Sequence, residues 1–431
     1  MSTVPPAKKP KTRHRTCKAD EDVAQVPAPP PPFVLRLIKQ NNSKTHFTKE
    51  EQDYMKQYGK KECRRLTDMI QNMTPLEEPR RLRVLRSNLP DHIKTDIFRQ
   101  LADNETPKFE EWVERALRLP LNTFTPTPKR QQHREIIRKA ISIMDAEITG
   151  HEVAKHEVLR LICTWLNTGA STGFAIGLEG SPGVGKTSFA KRALARSMDR
   201  PFCFISLGGA SDASCLLGHS YTYEGAVPGR LTESIVASER MDPVIFFDEL
   251  DKISTSPKGE ELVNALIHLT DPIQNEHIRD RYLHGIDLDF SRAVLVFSYN
   301  DPTRVNPVLL DRIKRIQLQT PKHDEKMTIC RNHLIPRALS EFSGLQLEFA
   351  DNIVDFIVRK NAHEAGLRGI EKDIAHLVAS YCLVKTYGSM EILGLAKKQE
   401  VDDFVLDIHF ATAVLVPEAV STTTSHLMMY S

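Results

Sequence analysis

Residues 174–187 read Phe174-Ala-Ile-Gly-Leu-Glu-Gly180-Ser-Pro-Gly-Val-Gly-Lys-Thr187, and Ser188-Phe-Ala-Lys-Arg-Ala-Leu194 follows without a break. An apolar run of strand length leads into G-x-x-x-x-G-K-[ST], matched at every fixed position, and a helical pattern continues behind it. Gly180, Ser181, Pro182, Gly183, Val184 and Gly185 make a turn whose backbone N–H groups can converge on phosphate oxygens. The helix opening at Lys186, Thr187 and Ser188 adds the positive end of its dipole. Lys186 is expected to reach the β- and γ-phosphates and the Thr187 hydroxyl to ligate Mg²⁺. The alternative, a chance Gly-rich turn, is weakened by the strand before it and the helix after it.

A phosphate loop of this kind needs a second strand that ends in acid. Val244-Ile245-Phe246-Phe247 is a continuous apolar run, as expected of a parallel strand covered on both faces, and it ends in Asp248-Glu249. Asp248 is expected to hold Mg²⁺ through water and Glu249 to orient the attacking water, since phosphoryl transfer is mostly positioning and charge stabilisation. Further strands are predicted at 202–207, 293–298 and about 315–318, giving an α/β core with a five-stranded parallel sheet. The fourth strand ends at Asn300, which lies beside the carboxylates if that strand runs between the first and the third. Taken alone, an Asn at a strand end is more often a turn residue.

Outward from this core the chain changes character. Among the first 18 residues are Lys8, Lys9, Lys11, Arg13, Arg15 and Lys18 and no acid, and Pro27 and Pro29 to Pro32 follow. Residues 1–44 are therefore expected to be a disordered basic, Pro-rich tail. Its residues 8–18 read equally as a nuclear-import or nucleic-acid foothold and as a solvated run of charge. Residues 45–128 are expected to form a helical module, with a capping box at Thr48 and Glu51 and a helix over about 108–119, ending in a hinge at Pro126 and Pro128. Two amphipathic helices broken around Ile148-Thr149-Gly150 occupy 131–168. The domain boundaries expected are 129–320 for the nucleotide core, 321–410 for a helical lid, and 411–431 for a flexible tail.

Composition excludes several classes. With 58 Lys+Arg against 56 Asp+Glu the formal charge is only +2, too balanced for nucleic-acid binding by the whole chain. Seven cysteines, an odd number without a C-x-x-C, argue against a disulfide framework or zinc cluster. No apolar stretch approaches membrane-span length, and the N-terminus has no signal-peptide core. The expectation is a soluble intracellular protein of nucleus or cytoplasm with no membrane partner.

The phosphate loop continues into "ISLGG" and "GHSYTYEGAVPG", and "PVIFFDELDKI", "LTDPIQNEHIRDRYL", "NPVLLDRI" and "AGLRGIEKDI" follow in order. From about residue 131 to about 390 the chain resembles the AAA+ module of Lon proteases, and it is similar to shortened Lon-like ATPases of large DNA viruses. The resemblance implies ATP as substrate, Asn300 as sensor 1, and Arg312 as an arginine finger serving a neighbouring subunit. It also implies Arg368 as the sensor-2 arginine of the lid, Tyr223 as the aromatic of a substrate-gripping pore loop, and a homo-hexamer acting on polypeptide clients.

Three departures stand out. Glu224 follows Tyr223 where the family carries an apolar residue, and Thr149 precedes Gly150 where it tends to carry tyrosine. The Pro-x-Asp-Gly-Pro-Ser-Ala-Gly stretch of the Lon serine–lysine dyad has no match, so an intrinsic peptidase is not expected. Three readings stay open: an ATP-driven protein remodeller, alone or with a separate protease; a DNA-associated ATPase; and a scaffold that binds nucleotide without turnover.

Overall fold

The computed structural model describes residues 79–103, 106–168, 173–210, 212–223, 225–342, 345, 347–388, 390–393 and 406–416. The expected basic tail, the Thr48–Glu51 capping box, the first part of the helical module and Glu224 lie outside these residues.

Five parallel strands form the central sheet: β1 (Phe174–Glu179), β2 (Phe202–Ser206), β3 (Val244–Asp248), β6 (Val294–Tyr299) and β7 (Lys314–Gln317). Their spatial order is β2-β3-β6-β1-β7. A small antiparallel pair, β4 (Ile278–Arg279) with β5 (Asp287–Leu288), stands apart. The sheet is the α/β arrangement expected, and β6 does run between β1 and β3. Alternation along the central strands feeds two cores. Val244, Phe246, Val294 and Val296 pack with Ile176 and Leu178 against helices His133–Glu147 and Glu152–Asn167 and the helix behind the phosphate loop. Ile245, Phe247, Leu295 and Phe297 face the opposite layer, which contains helices Arg230–Ser238 and Pro257–Thr270. All of β3's apolar residues are fully buried, which explains the unbroken apolar run. The helix behind the phosphate loop is π-wound over Phe189–Ala195.

The helical module expected at 45–128 does, over its described part, consist of helices, and these share the core of the sheet. Helices Arg80–Arg86, Asp91–Asp103 and Pro107–Leu117 contribute Val84, Ile97, Trp112 and Val113 to the same core as β3 and β6. Trp112 Nε1 donates to the Tyr282 carbonyl at 2.9 Å, giving its one polar atom a partner inside that core. The proposed hinge at Pro126 and Pro128 is preceded by a pinned segment. Met241 N–H donates to Thr123 O at 2.8 Å, and Thr125 N–H donates to Asp242 Oδ2 at 2.9 Å. Asp242 is itself buried against Arg200 at 3.5 Å.

The C-terminal helices have a core of their own. His323–Ile329 runs through a π-wound turn at Cys330–Leu334 into Ile335–Ser340, and Asp351–Lys360 and Arg368–Tyr387 pack beside it. A further helix, Ile408–Leu415, buries Phe410, Ala411 and Leu415 in the same cluster. The flexible tail expected from residue 411 therefore starts too early: residues 411–415 are helical, with Ala411 and Leu415 buried in the lid core. Among the described residues no helix is long and apolar enough to cross a membrane.

Candidate nucleotide site

Gly183 and Gly185 adopt φ of +80° and +94°, the left-handed region that glycine enters without steric cost. Between β1 and the helix that starts at Lys186, this places the loop backbone at the carboxyl end of the sheet, beside the ends of β3 and β6. A cavity of about 360 Å³ opens there, lined by the loop together with Asp248, Glu249, Asn300 and Arg368. The Lys186 ammonium donates to the carbonyls of Gly180 (2.6 Å) and Ser181 (3.2 Å) and to Asn300 Oδ1 (2.7 Å). Burial lowers its pKa from the ordinary lysine value; Asp248 and Asp251 draw it upward and Arg368 pushes it further down.

Ser298, one residue from the end of β6, joins the two acidic positions. Its hydroxyl donates to Asp248 Oδ1 and accepts from the Glu249 N–H at 3.4 Å. Glu249 stands at φ +60°, uncommon for a residue with a side chain. Its carboxylate lies over Gly208, where an added Cβ would meet Oε2 at 1.9 Å. The first glycine of "ISLGG" is thus the space that this carboxylate occupies. Thr187 and Asp248 make a two-oxygen donor set on the cavity wall. That set suits Mg²⁺, which keeps several waters and takes other ligands from substrate phosphates.

A second, narrower cavity of about 100 Å³ continues from the first, sharing Gly185, Ser188, Leu334, Arg337 and Leu367 with it. Ile148, Thr149 and His151 form its far wall. Gly150 sits at φ +74°, with lid residue Glu325 so close that a Cβ would lie 2.7 Å from Oε1. His151 is also left-handed, at φ +57°; its Nε2 lies 3.2 Å from Val184 O, and burial lowers its pKa. This slot is where the Thr149 departure falls, and its walls come from the core, the loop and the lid together.

The family description "ATPase family associated with various cellular activities (AAA)" matches residues 176–321. A Lon protease homolog of Acanthamoeba polyphaga mimivirus is 31% identical over 345 residues, covering 76% of this chain and 34% of that protein. The mitochondrial Lon protease homolog of Yarrowia lipolytica is 32% identical over 274 residues (63% of this chain, 23% of that one). The Lon protease of Dictyoglomus thermophilum is 34% identical over 272 residues (62% and 34%). The chain carries a Lon-like AAA+ module. It spans about a third or less of the length of these relatives.

Within this module the two arginines lie in different places. Arg368 opens helix Arg368–Tyr387 and lines the cavity. The lid reaches the phosphate loop just before it: Leu367 N–H donates to Gly183 O at 3.1 Å, and a Cβ on Gly366 would lie 2.3 Å from Pro182 O. Arg312 is outside the cavity lining and pairs with Asp271 at 2.9 Å. Tyr223 is also outside the cavity lining, 67% exposed on the 218–229 loop of the Lon-like module. Asp280 fastens the neck of that loop by accepting from Gly229 N–H (2.8 Å) and the Thr232 hydroxyl, and from Tyr282 and Leu283 N–H. Lys108 reaches its tip, donating to the carbonyls of Thr222 and Tyr223 at 3.1 Å each and lying 4.9 Å above the Tyr221 ring.

Reading the sequence did not single out Ser298, Asp251, Arg337, Asp280 or Lys108. Asp251 had a signal, as the third acid of Asp248-Glu249-Leu250-Asp251; the others are common residue types whose partners lie far along the chain.

Proposed function

We propose that this chain binds ATP with Mg²⁺ and hydrolyses it, and that the cycle drives remodelling of polypeptide. The observation that carries the reading is the meeting of Lys186, Asp248, Glu249, Asn300 and Arg368 around one cavity at the end of a buried parallel sheet. Lys186 and the loop N–H groups bind the phosphates, and Thr187 and Asp248 hold Mg²⁺, which neutralises charge on the phosphoryl oxygens when bound. Glu249 orients the attacking water. Asn300 senses the γ-phosphate, a role supported by the hydrogen bond its Oδ1 accepts from Lys186. The slot at Ile148, Thr149 and His151 takes the base. A scaffold without turnover fits poorly, because a complete set of charged and polar groups faces the cavity.

Arg312 supports a ring. It lies away from the cavity of its own subunit, so its use in hydrolysis requires a neighbour, with the homo-hexamer of the Lon resemblance as the assembly. The lid joins the phosphate loop through Gly366, Leu367 and Arg368 yet has its own core, which lets phosphate loss change the lid angle as a body. Tyr223 on its exposed loop is the contact with polypeptide. Peptide-bond cleavage by these 431 residues is not expected, and a separate protease would complete degradation. Incubation with labelled casein and ATP tests this; cleavage that follows the protein through purification refutes it.

Steady-state ATPase of the protein alone, with unfolded casein and with duplex DNA, using Glu249→Gln as blank, tests the main reading. Stimulation by casein supports remodelling. Stimulation by DNA alone transfers the activity to nucleic acid and makes residues 8–18 the segment to delete, with loss of salt-dependent affinity expected.

A further inference from the structure

Asp251 is 4% exposed, on the short turn Leu250–Lys252 that follows Glu249, and it lines the nucleotide cavity. Its Oδ2 accepts two backbone N–H groups, from Asn300 at 3.1 Å and from Asp301 at 3.2 Å. Its Oδ1 is buried and has no hydrogen-bond partner among the described residues. A carboxylate in this place opposes the phosphates that the cavity is proposed to receive, and a buried oxygen without a donor adds a desolvation cost. Something must offset both. The two charge-assisted bonds fall at the exit of β6, at the residue whose side chain bonds Lys186.

We infer that Asp251 is a positioning residue for hydrolysis: by clamping the backbone of Asn300 and Asp301 to the turn that carries Glu249, it sets the distance between Asn300 and the water-orienting carboxylate. The inference rests on the ATPase reading above and extends it to a residue that does not itself touch the reacting atoms. Two strand ends, β3 and β6, each deliver one polar group to the same phosphate, and strand pairing fixes them only as far as Phe247 opposite Phe297. Beyond that register β3 and β6 no longer pair with each other; Ser298 joins β6 to Asp248 and the Glu249 N–H, and Asp251 ties the turn after Glu249 to the exit of β6 at Asn300 and Asp301. Displacement of a reacting or sensing group by about 1 Å can cost on the order of 100-fold in rate.

A merely structural role and a positioning role separate cleanly, because removing a negative charge from the cavity favours phosphate binding. In the full chain, Asp251→Ala is expected to lower kcat by about tenfold or more, while the Kd for a fluorescent ATP analogue stays the same or tightens. Asp251→Asn, which keeps an acceptor oxygen, should return turnover to within about threefold of the parent. Asn300→Ala should lower kcat as well, and the double variant Asp251→Ala with Asn300→Ala should be no slower than Asn300→Ala alone. Should Asp251→Ala fail to fold by circular dichroism, Asp251→Ser takes its place with the same expected losses, its hydroxyl being too short to reach both N–H groups. Parent-like kcat, losses that multiply in the double variant, or ATP affinity that falls in step with turnover would each overturn the inference. A parent protein that binds ATP without hydrolysing it removes the ATPase reading and this inference together, whereas a hydrolysing parent with multiplicative losses removes the inference alone.

Discussion

The nucleotide cavity and the 218–229 loop solve opposite problems with the same kinds of bond. Around the cavity, Lys186, Asp248, Glu249 and Asp251 are held at or just after the ends of buried strands, and Ser298 and Asp251 cross-link two of those ends. The loop is rooted at Asp280 and by Tyr221, whose ring packs against Tyr282 and His284; beyond these, Tyr223 stands in solvent, with Lys108 bonding its carbonyl. In the function proposed above, chemistry that depends on sub-ångström placement would thus be built on buried backbone, and the proposed contact with polypeptide would be left on a tethered loop. Breaking bonds at the cavity should therefore abolish events, and breaking them on the loop beyond its Asp280 neck should change only their coupling.

The largest expected effects lie at the cavity. Lys186→Ala should weaken ATP binding by about 100-fold or more, equivalent to roughly 3 kcal/mol, measured by titration calorimetry. Glu249→Gln should retain ATP affinity and lower steady-state turnover by on the order of 100-fold; parent-like turnover would show that this carboxylate is not the one that orients water. Gly208→Ala tests the same group from behind. Its methyl must displace the Glu249 carboxylate, so turnover should drop by about tenfold with the melting temperature little changed.

At the loop the scale shifts from chemistry to stability and coupling. Asp280→Ala strands four donors in the core and should cost on the order of 3 kcal/mol in chemical denaturation, the one large stability effect in this region. Tyr223→Ala should leave basal ATPase and stability near parent values and remove stimulation by unfolded casein. Lys108→Met should have the smallest effect, about twofold in that stimulation, because an exposed ammonium bonded to two carbonyls contributes roughly 1 kcal/mol or less. If Lys108→Met were instead as damaging as Tyr223→Ala, the loop would have to be regarded as rigid and the contrast between the two regions would fail.

What the sequence by itself determined is what depends on neighbours in the chain. The phosphate loop is a contiguous eight-residue pattern, β3 is legible because a strand covered on both faces must be apolar throughout, and Asp248 and Glu249 follow directly from its end. The break at Ile148-Thr149-Gly150 likewise shows in local helical periodicity, and the structure has Gly150 and His151 left-handed there. Tertiary structure alone decided everything that joins distant segments. Asp251 meets a backbone 49 residues away, Lys108 meets a carbonyl 115 residues away, and the helices over 80–117 enter the core of the sheet instead of closing on themselves. The same holds at the other end, where Ile408–Leu415 joins the lid across residues whose own pattern reads as tail. The physical reason is common to all four. A single polar side chain carries no periodic signal, and an apolar helix face shows that it will be covered but not by what, so in each case the place is set by which buried surface or unpaired N–H group the rest of the fold presents.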